Sequence, residues 1–365
     1  MKILTRYLWR EFIHFGSIFF FVFSFLLTFI MGTLNLREFV VFAPSIIHIV
    51  KIYLLTFFQL FSYLLPQSSF FSLLFTFQKL KEDREILALF SLGFTIKDLL
   101  KPLFLFIGII FILTFLSHFF ILPYAKRLQK EIQINIVKGL SEYNIPIKKP
   151  LLIAEGFYLY VKDSKIVENK HFLQDLLILE KRGERGRGIY LAKEALLEPK
   201  TNSISLKEGW AFFQDRLQEF EIYNFKEYFI ALTSKSLERE ELYFKRGELT
   251  FEELREKLRE TAKEKKRYYR YLSEYYQRIF YSFSLIPLLL QAFLLGLYLK
   301  PHNRFILFLG GISFYLIYYW SYTFLISLGE RGSLFPLTSH LLFNGIFYLI
   351  LLIEWQTLKR RGFLL

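Results

Sequence analysis

The sequence predicts an α-helical membrane protein with six transmembrane helices, set three and three around a large β-rich insert. Three observations predict it. Six long windows lack Asp, Glu, Lys and Arg. Basic residues gather on alternate connections between those windows. Between the third and fourth windows the pattern changes to short alternating apolar runs closed by turn residues.

The windows are residues 12–36, 52–78, 102–125, 279–299, 305–329 and 332–353. Each reaches the roughly 20 apolar residues a helix needs to cross a bilayer at about 1.5 Å per residue. At 365 residues and 53% hydrophobic, the chain could also bury a large soluble core. Six such windows argue for spans instead. The first window is too long for the apolar segment of a signal peptide, and no small-residue cleavage site follows it, so it reads as a retained span.

Short-loop basic residues set the expected orientation. Lys2, Arg6 and Arg10 precede span one; Lys79, Lys81, Arg84, Lys97 and Lys101 lie between spans two and three. Lys300 and Arg304 lie between spans four and five, and Lys359, Arg360 and Arg361 end the chain. Six spans bring all of these to one side, expected to be cytoplasmic. The opposite short loops carry only Arg37 and Lys51, and Arg331. The insert, residues 126–276, is then expected outside the cytoplasm, between a first part (1–125) and a last part (277–365). The net charge of +14 fits such loops and contact with anionic lipid rather than nucleic acid, since no basic domain stands apart.

Within the insert, runs such as 157–161, 176–179, 189–191, 204–206 and 220–223 recur at strand spacing, as in a β-sandwich or jellyroll. The Gly-Glu-Arg-Gly-Arg-Gly stretch at 183–188 lacks the Gly-Lys-Ser/Thr ending of a phosphate loop and reads as a turn. Thr250 and Glu253 form a capping-box pattern, with Phe251, Leu254 and Leu258 at helical spacing behind it. Tyr268, Tyr269, Tyr271, Tyr275 and Tyr276 then fit an interfacial aromatic belt before span four.

No constellation points to catalysis, a cofactor or a metal. There are no cysteines, which excludes disulfides and thiolate chemistry. Few Met, no Cys and abundant Lys and Glu fit a thermophile. The histidines 14, 48, 118, 171, 302 and 340 have no ligand-like spacing, and a Walker A motif is absent. The uncharged windows also argue against an ion-coupled carrier, which needs an ionisable group at membrane depth. One short segment stands out between spans two and three. Asp83 is expected to cap, and Gly93 to terminate, an amphipathic helix of about residues 82–93, with Glu82 and Glu85 near its start. Two roles are open to it: an interfacial turn, or a helix that docks in a groove of a cytoplasmic partner.

Pro66, Leu80, Asp83, Glu85, Ala88, Leu89 and Gly93 stand in an order and spacing that resembles the LptF/LptG family of lipopolysaccharide-transport permeases. The resemblance continues at Leu122-Pro-Tyr-Ala125, Ala154-Glu-Gly-Phe-Tyr158, Leu206-Lys-Glu-Gly-Trp210 and Leu249-Thr-Phe-Glu-Glu-Leu254. It resumes at Glu274, Arg278, Gly310-Gly311, Tyr318-Tyr319, Leu328-Gly-Glu-Arg-Gly-Ser-Leu-Phe-Pro336 and Asn344. Ser282 stands where the family usually has a proline, which bears on the kink of span four. Asn344 and the basic tail lean towards the F member.

The resemblance implies a non-catalytic subunit, paired as an LptF–LptG heterodimer in the bacterial inner membrane. It implies an LptB ATPase dimer on the cytoplasmic face, bound through Glu82, Asp83, Glu85 and Gly93. It also implies a periplasmic β-jellyroll that joins LptC and LptA and receives lipopolysaccharide. Arg37 and Lys51 could then meet lipid phosphates, or serve as ordinary headgroup contacts. An open jellyroll edge would suit strand addition by the next jellyroll. The alternatives are another ABC permease with a large periplasmic domain (lipoprotein release or mechanotransmission, usually with four spans), a membrane enzyme, and a receptor or structural module.

Overall fold

A computed structural model of the chain describes residues 2–37, 44–139, 151–154, 157–167, 170–181, 187–198, 203–214, 220–231, 245–262, 264–298 and 304–360. Residues 182–186 of the glycine-rich turn, Lys300 and Arg361 lie outside the described residues.

Among the described residues, six helices are long and apolar enough to cross a membrane. Helix α1 runs Lys2–Arg37 and α2 Ile46–Glu82. The short α3 covers Glu85–Ser91. Helix α4, Ile96–Leu116, passes through a π-turn at Ser117–Ile121 into α5, Leu122–Gly139, so that one rod makes the third span. After the strands come α6, Phe251–Glu260, then α7, Lys265–Tyr298, α8, Arg304–Arg331, and α9, Pro336–Arg360. Proline suits the first position of α9, where its missing N–H leaves no hydrogen bond unmade. Gly332, at φ 80°, turns the chain between α8 and α9.

The chain divides into two compact units: Met1–Gly32, Tyr53–Leu128 and Lys245–Leu365 in one, Thr33–Ile52 and Gln129–Phe244 in the other. In the first unit, Leu8 and Phe12 of α1, Phe70, Phe71 and Phe77 of α2, Leu289 and Phe293 of α7, Tyr318 of α8 and Phe343 of α9 share one buried cluster. The outward residues of the same helices, such as Phe21, Phe25, Ile317 and Trp320, are apolar and exposed, as a lipid-facing surface requires. Close approach holds the interior. A Cβ at Gly296 of α7 would stand 2.8 Å from Cβ of Phe77 and 3.1 Å from the Leu74 carbonyl oxygen on α2. Small residues serve this purpose where no hydrophobic effect drives helices together in lipid.

The second unit holds one antiparallel sheet in the order β1-β2-β3-β4-β5-β6, a jellyroll-like domain inserted between spans three and four. Its strands are Leu151–Ala154, Phe157–Val167, Lys170–Lys181, Arg187–Glu198, Ser203–Gln214 and Phe220–Ala231. Each pairs with the next in sequence. Leu159, Val161, Leu176, Ile178, Tyr190, Ile204, Leu206 and Ala211 are among the residues that bury one face.

Gly296→Ala is expected to lower stability by about 1–3 kcal/mol through overpacking against α2. Gly310→Ala, whose Cβ meets nothing within 4 Å, is expected to leave it unchanged or slightly raised. Thermal unfolding of the two variants in one detergent separates them.

Candidate functional site: the end of α2 and the helix α3

Helix α2 ends at Glu82, and three side-chain links tie this end to other helices. The Glu11 carboxylate of α1 accepts from Lys79 Nζ at 2.8 Å. Lys81 Nζ donates to the Leu297 carbonyl at 2.6 Å, satisfying an acceptor at the C-terminal end of α7. Arg304, the first residue of α8, donates Nε and Nη2 to Glu82 Oε2 at 3.0 and 2.9 Å. Gln78 Nε2 approaches the other Glu82 oxygen at 3.5 Å. Charges on α1, α2 and α8 and a carbonyl of α7 thus converge on one end of the first unit.

Arg84 then reverses the chain in the left-handed conformation, φ 60° and ψ 13°, a costly choice for a residue with a Cβ. Helix α3 follows. Asp83 was expected to cap it and does not: Arg84 holds the cap position and no side chain caps the helix. Glu82 belongs to the end of α2, which takes it out of α3 altogether. The end of α3 follows the expectation more closely. Leu92 is the cap and Gly93, at φ 85°, comes next. The Gly93 N–H donates to the Phe90 carbonyl at 3.0 Å and the Phe94 N–H to the Leu89 carbonyl at 3.1 Å, the paired bonds of a Schellman ending. The Asp98 carboxylate accepts from the Thr95 N–H and hydroxyl, both at 2.9 Å, and starts α4.

Helix α3 has two unlike faces. Ile86 is buried in the first unit's core, with Leu89 and Phe90 packed against it at helical spacing. On the other side Leu87 is 69% and Leu92 75% exposed, beside exposed Ala88 and Ser91. Glu85 points inward to a partner: the Tyr7 hydroxyl of α1 lies 2.7 and 3.0 Å from its two carboxylate oxygens. The result is a short helix fixed at its base, presenting an apolar surface. Arg37 and Lys51 are exposed at the end of α1 and near the start of α2, in the other unit.

The sequence named Glu274 and Arg278 only as family-like positions and did not show the buried constellation they belong to in the first unit. Arg278 of α7 is 1% exposed, one residue before the uncharged window. Its Nε donates to Glu274 at 3.4 Å and its Nη2 to the Arg246 carbonyl at 3.2 Å. Arg246 in turn pairs with Glu330 at 2.8 Å. The π-turn holds His118 buried, its ring stacked on Tyr281 at 4.6 Å. His340 of α9 is also buried, with its ring centroid 6.1 Å from that of Tyr322. The Glu274–Arg278 spacing of four was the available sequence signal. Nearby, the expected capping box of α6 is present: the Thr250 N–H donates to Glu253 at 2.8 Å and the Glu253 N–H to the Thr250 hydroxyl at 3.3 Å. Arg127 adds a 3.1 Å ion pair to Glu253. Burial pushes the Glu253 carboxyl up, but the Thr250 N–H and the Arg127 guanidinium outweigh it and hold the group below its ordinary value.

A family model described as lipopolysaccharide export system permease LptF/LptG matches residues 6–358. No curated protein matches the chain.

Tyr7→Phe is expected to cost about 1 kcal/mol, with little dependence on salt. Arg304→Ala breaks a largely exposed pair and is expected to cost less than about 1 kcal/mol, an effect that salt removes. Melting curves at low and high salt read both. Because the folded-state value of Glu253 is depressed, its stabilisation of α6 is present above the ordinary carboxylate range and lost as pH falls through the folded value. Hydrogen exchange of residues 251–260, corrected for intrinsic rates, is expected to quicken on acidification. In Glu253→Gln it is expected to be faster at neutral pH and to lose that trend.

Proposed function

The chain belongs to the LptF/LptG family of lipopolysaccharide export permeases, and from that membership we propose that it is a non-catalytic subunit of an ATP-driven lipopolysaccharide extractor. The observation that carries the coupling half of this reading is α3, an anchored helix with an exposed apolar face. Such a face suits a groove on a partner protein. The partner fitting this role is an LptB-type ATPase dimer on the cytoplasmic side. Glu82, Asp83, Glu85 and Gly93 act in the coupling by shaping the segment: Glu82 ties α2 to α8, Glu85 ties α3 to α1, and Gly93 sets the turn into α4. Asp83 is exposed beside them and is available to a basic group of the ATPase.

In this reading the chain lies in the bacterial inner membrane with both termini cytoplasmic. It pairs with a second LptF/LptG-type permease. Residues 1–125 and 277–365 form the membrane part, and residues 126–276 the periplasmic part, whose sheet meets LptC- and LptA-type jellyrolls. Arg37 and Lys51 are exposed cations suited to lipid phosphates. ATP binding by the partner favours one arrangement of the permease pair, and α3 transmits the shift to α1, α2 and α4. The alternative, a permease of the lipoprotein-release or mechanotransmission kind, usually has four spans. Six helices of spanning length count against it.

Leu87→Asp is expected to reduce co-purification of the ATPase by roughly ten-fold or more, since it places a charge in an apolar contact. Glu85→Lys is expected to lower lipopolysaccharide release and ATPase assembly together. If both variants assemble and transport like the parent, α3 is not the coupling element.

A further inference from the structure

The outward face of the sheet carries a charged row that the export reading leaves unused. Lys162, Asp175, Lys193, Glu208 and Lys226 stand opposite one another from β2 to β6, each flanked by paired residues of the ladder. Lys162 meets Asp175 at 3.0 Å and Lys193 meets Glu208 at 3.3 Å. The row exists because the strand alternation slips there. Leu173 and Leu176 are both buried, as are Ala192 and Ala195, and Leu206 and Gly209. Two successive residues of each of these strands therefore face outward instead of one. On β3 and β5, Asp175 and Glu208 absorb the slip with φ of 48° and 49°, a strained conformation for residues with a Cβ.

The neighbouring row runs in register through Tyr160, Leu177, Leu191 and Trp210, with Trp210 48% exposed. The two rows wall a trough of about 930 Å³. With strands about 4.8 Å apart, five of them give a trough roughly 19 Å long.

We propose that this trough binds an anionic oligosaccharide, the sugar portion of the lipid cargo, an inference that rests on the export reading. Its occupant would lie against the charged row on one side and Tyr160, Leu177, Leu191 and Trp210 on the other. A peptide strand adds along an outer strand, β1 or β6 of the described sheet, whereas the trough runs across the strands. A sugar ring offers an apolar C–H face to Trp210 and Tyr160, and a rim of hydroxyls that both donate and accept. A row alternating ammonium and carboxylate groups serves both roles of a hydroxyl. An acyl chain would gain nothing from that row, and a bare phosphate would meet Asp175 and Glu208 as well as the lysines. Three lysines against two acids leave the row one charge positive, which suits sugars bearing acidic groups.

The test titrates the full-length chain in detergent with lipid-free core oligosaccharide released from lipopolysaccharide by mild acid. Saturable binding is expected, weakened roughly ten-fold or more in Trp210→Ala and in Lys193→Glu. Trp210→Phe is expected to keep most of it, and Phe229→Ala, exposed outside the trough, all of it. An unchanged melting temperature establishes that a variant is folded. Should Trp210→Ala fail to fold, Trp210→Phe and Lys193→Glu carry the comparison. Absence of saturable binding, or equal binding by the folded trough variants, overturns the proposal. So does a protein sheet that occupies this face without any sugar binding. If the complex extracts whole lipopolysaccharide while the free oligosaccharide is not bound, the trough assignment falls and the export reading stands. If extraction fails as well, the export reading falls with it.

Discussion

The arrangement of the first unit depends on how closely α2 can approach its neighbours. In a bilayer the lipid tails are as apolar as leucine, so helices associate through contact rather than through expulsion of water. Gly296 of α7 and Gly311 of α8 supply that contact. A Cβ at Gly311 would stand 2.7 Å from the Leu74 side chain and 3.0 Å from the Phe71 ring. With both glycines in place, Phe70, Phe71, Leu74 and Phe77 are buried, and α2 becomes the common neighbour of α1, α7 and α8. The ion pairs at its end follow from this packing, since Glu82 and Arg304 are far apart in sequence and meet only after α2 is docked.

That dependence links the bundle to the proposed coupling. Helix α3 has seven residues, too few to hold a helix alone in water. It persists because Ile86, Leu89 and Phe90 pack on the core and because Tyr7 holds Glu85. A force applied to its outward face therefore passes to α1 and α2 instead of unwinding it. The left-handed Arg84 and Gly93 at its two ends make both turns tight, which shortens the path from the apolar face to the spans. At Arg278 the same demand for internal partners appears. Its guanidinium is out of contact with solvent and draws on Glu274 and the Arg246 carbonyl.

What was legible in the sequence was local. The six spans could be read because a charge-free run of that length has few other uses, and every window falls largely within a helix. The Thr250–Glu253 box and the glycine after α3 were legible because caps depend on residues three or four apart. The cap expected from Asp83 failed for a long-range reason. Arg304, distant in sequence, holds Glu82 as the last residue of α2 and moves the turn to Arg84. Tyr7 with Glu85 lay beyond reach for the same reason. The charged row on the sheet was hidden differently. Strand periodicity places its residues on a regular alternation, whereas two successive residues turn outward on β3, β4 and β5, with left-handed φ at Asp175 and Glu208.

The central claim is that α3 is the surface an ATPase partner grips. The chain has no cysteine, so a single introduced thiol reports from one place. The direct measurement is site-specific cross-linking in native membranes from Leu87→Cys on α3, with Leu316→Cys on the exposed side of α8 as the reference. The account predicts an adduct with the ATPase from Leu87→Cys and none from Leu316→Cys. An intact, active complex that gives no ATPase adduct from Leu87→Cys would contradict it.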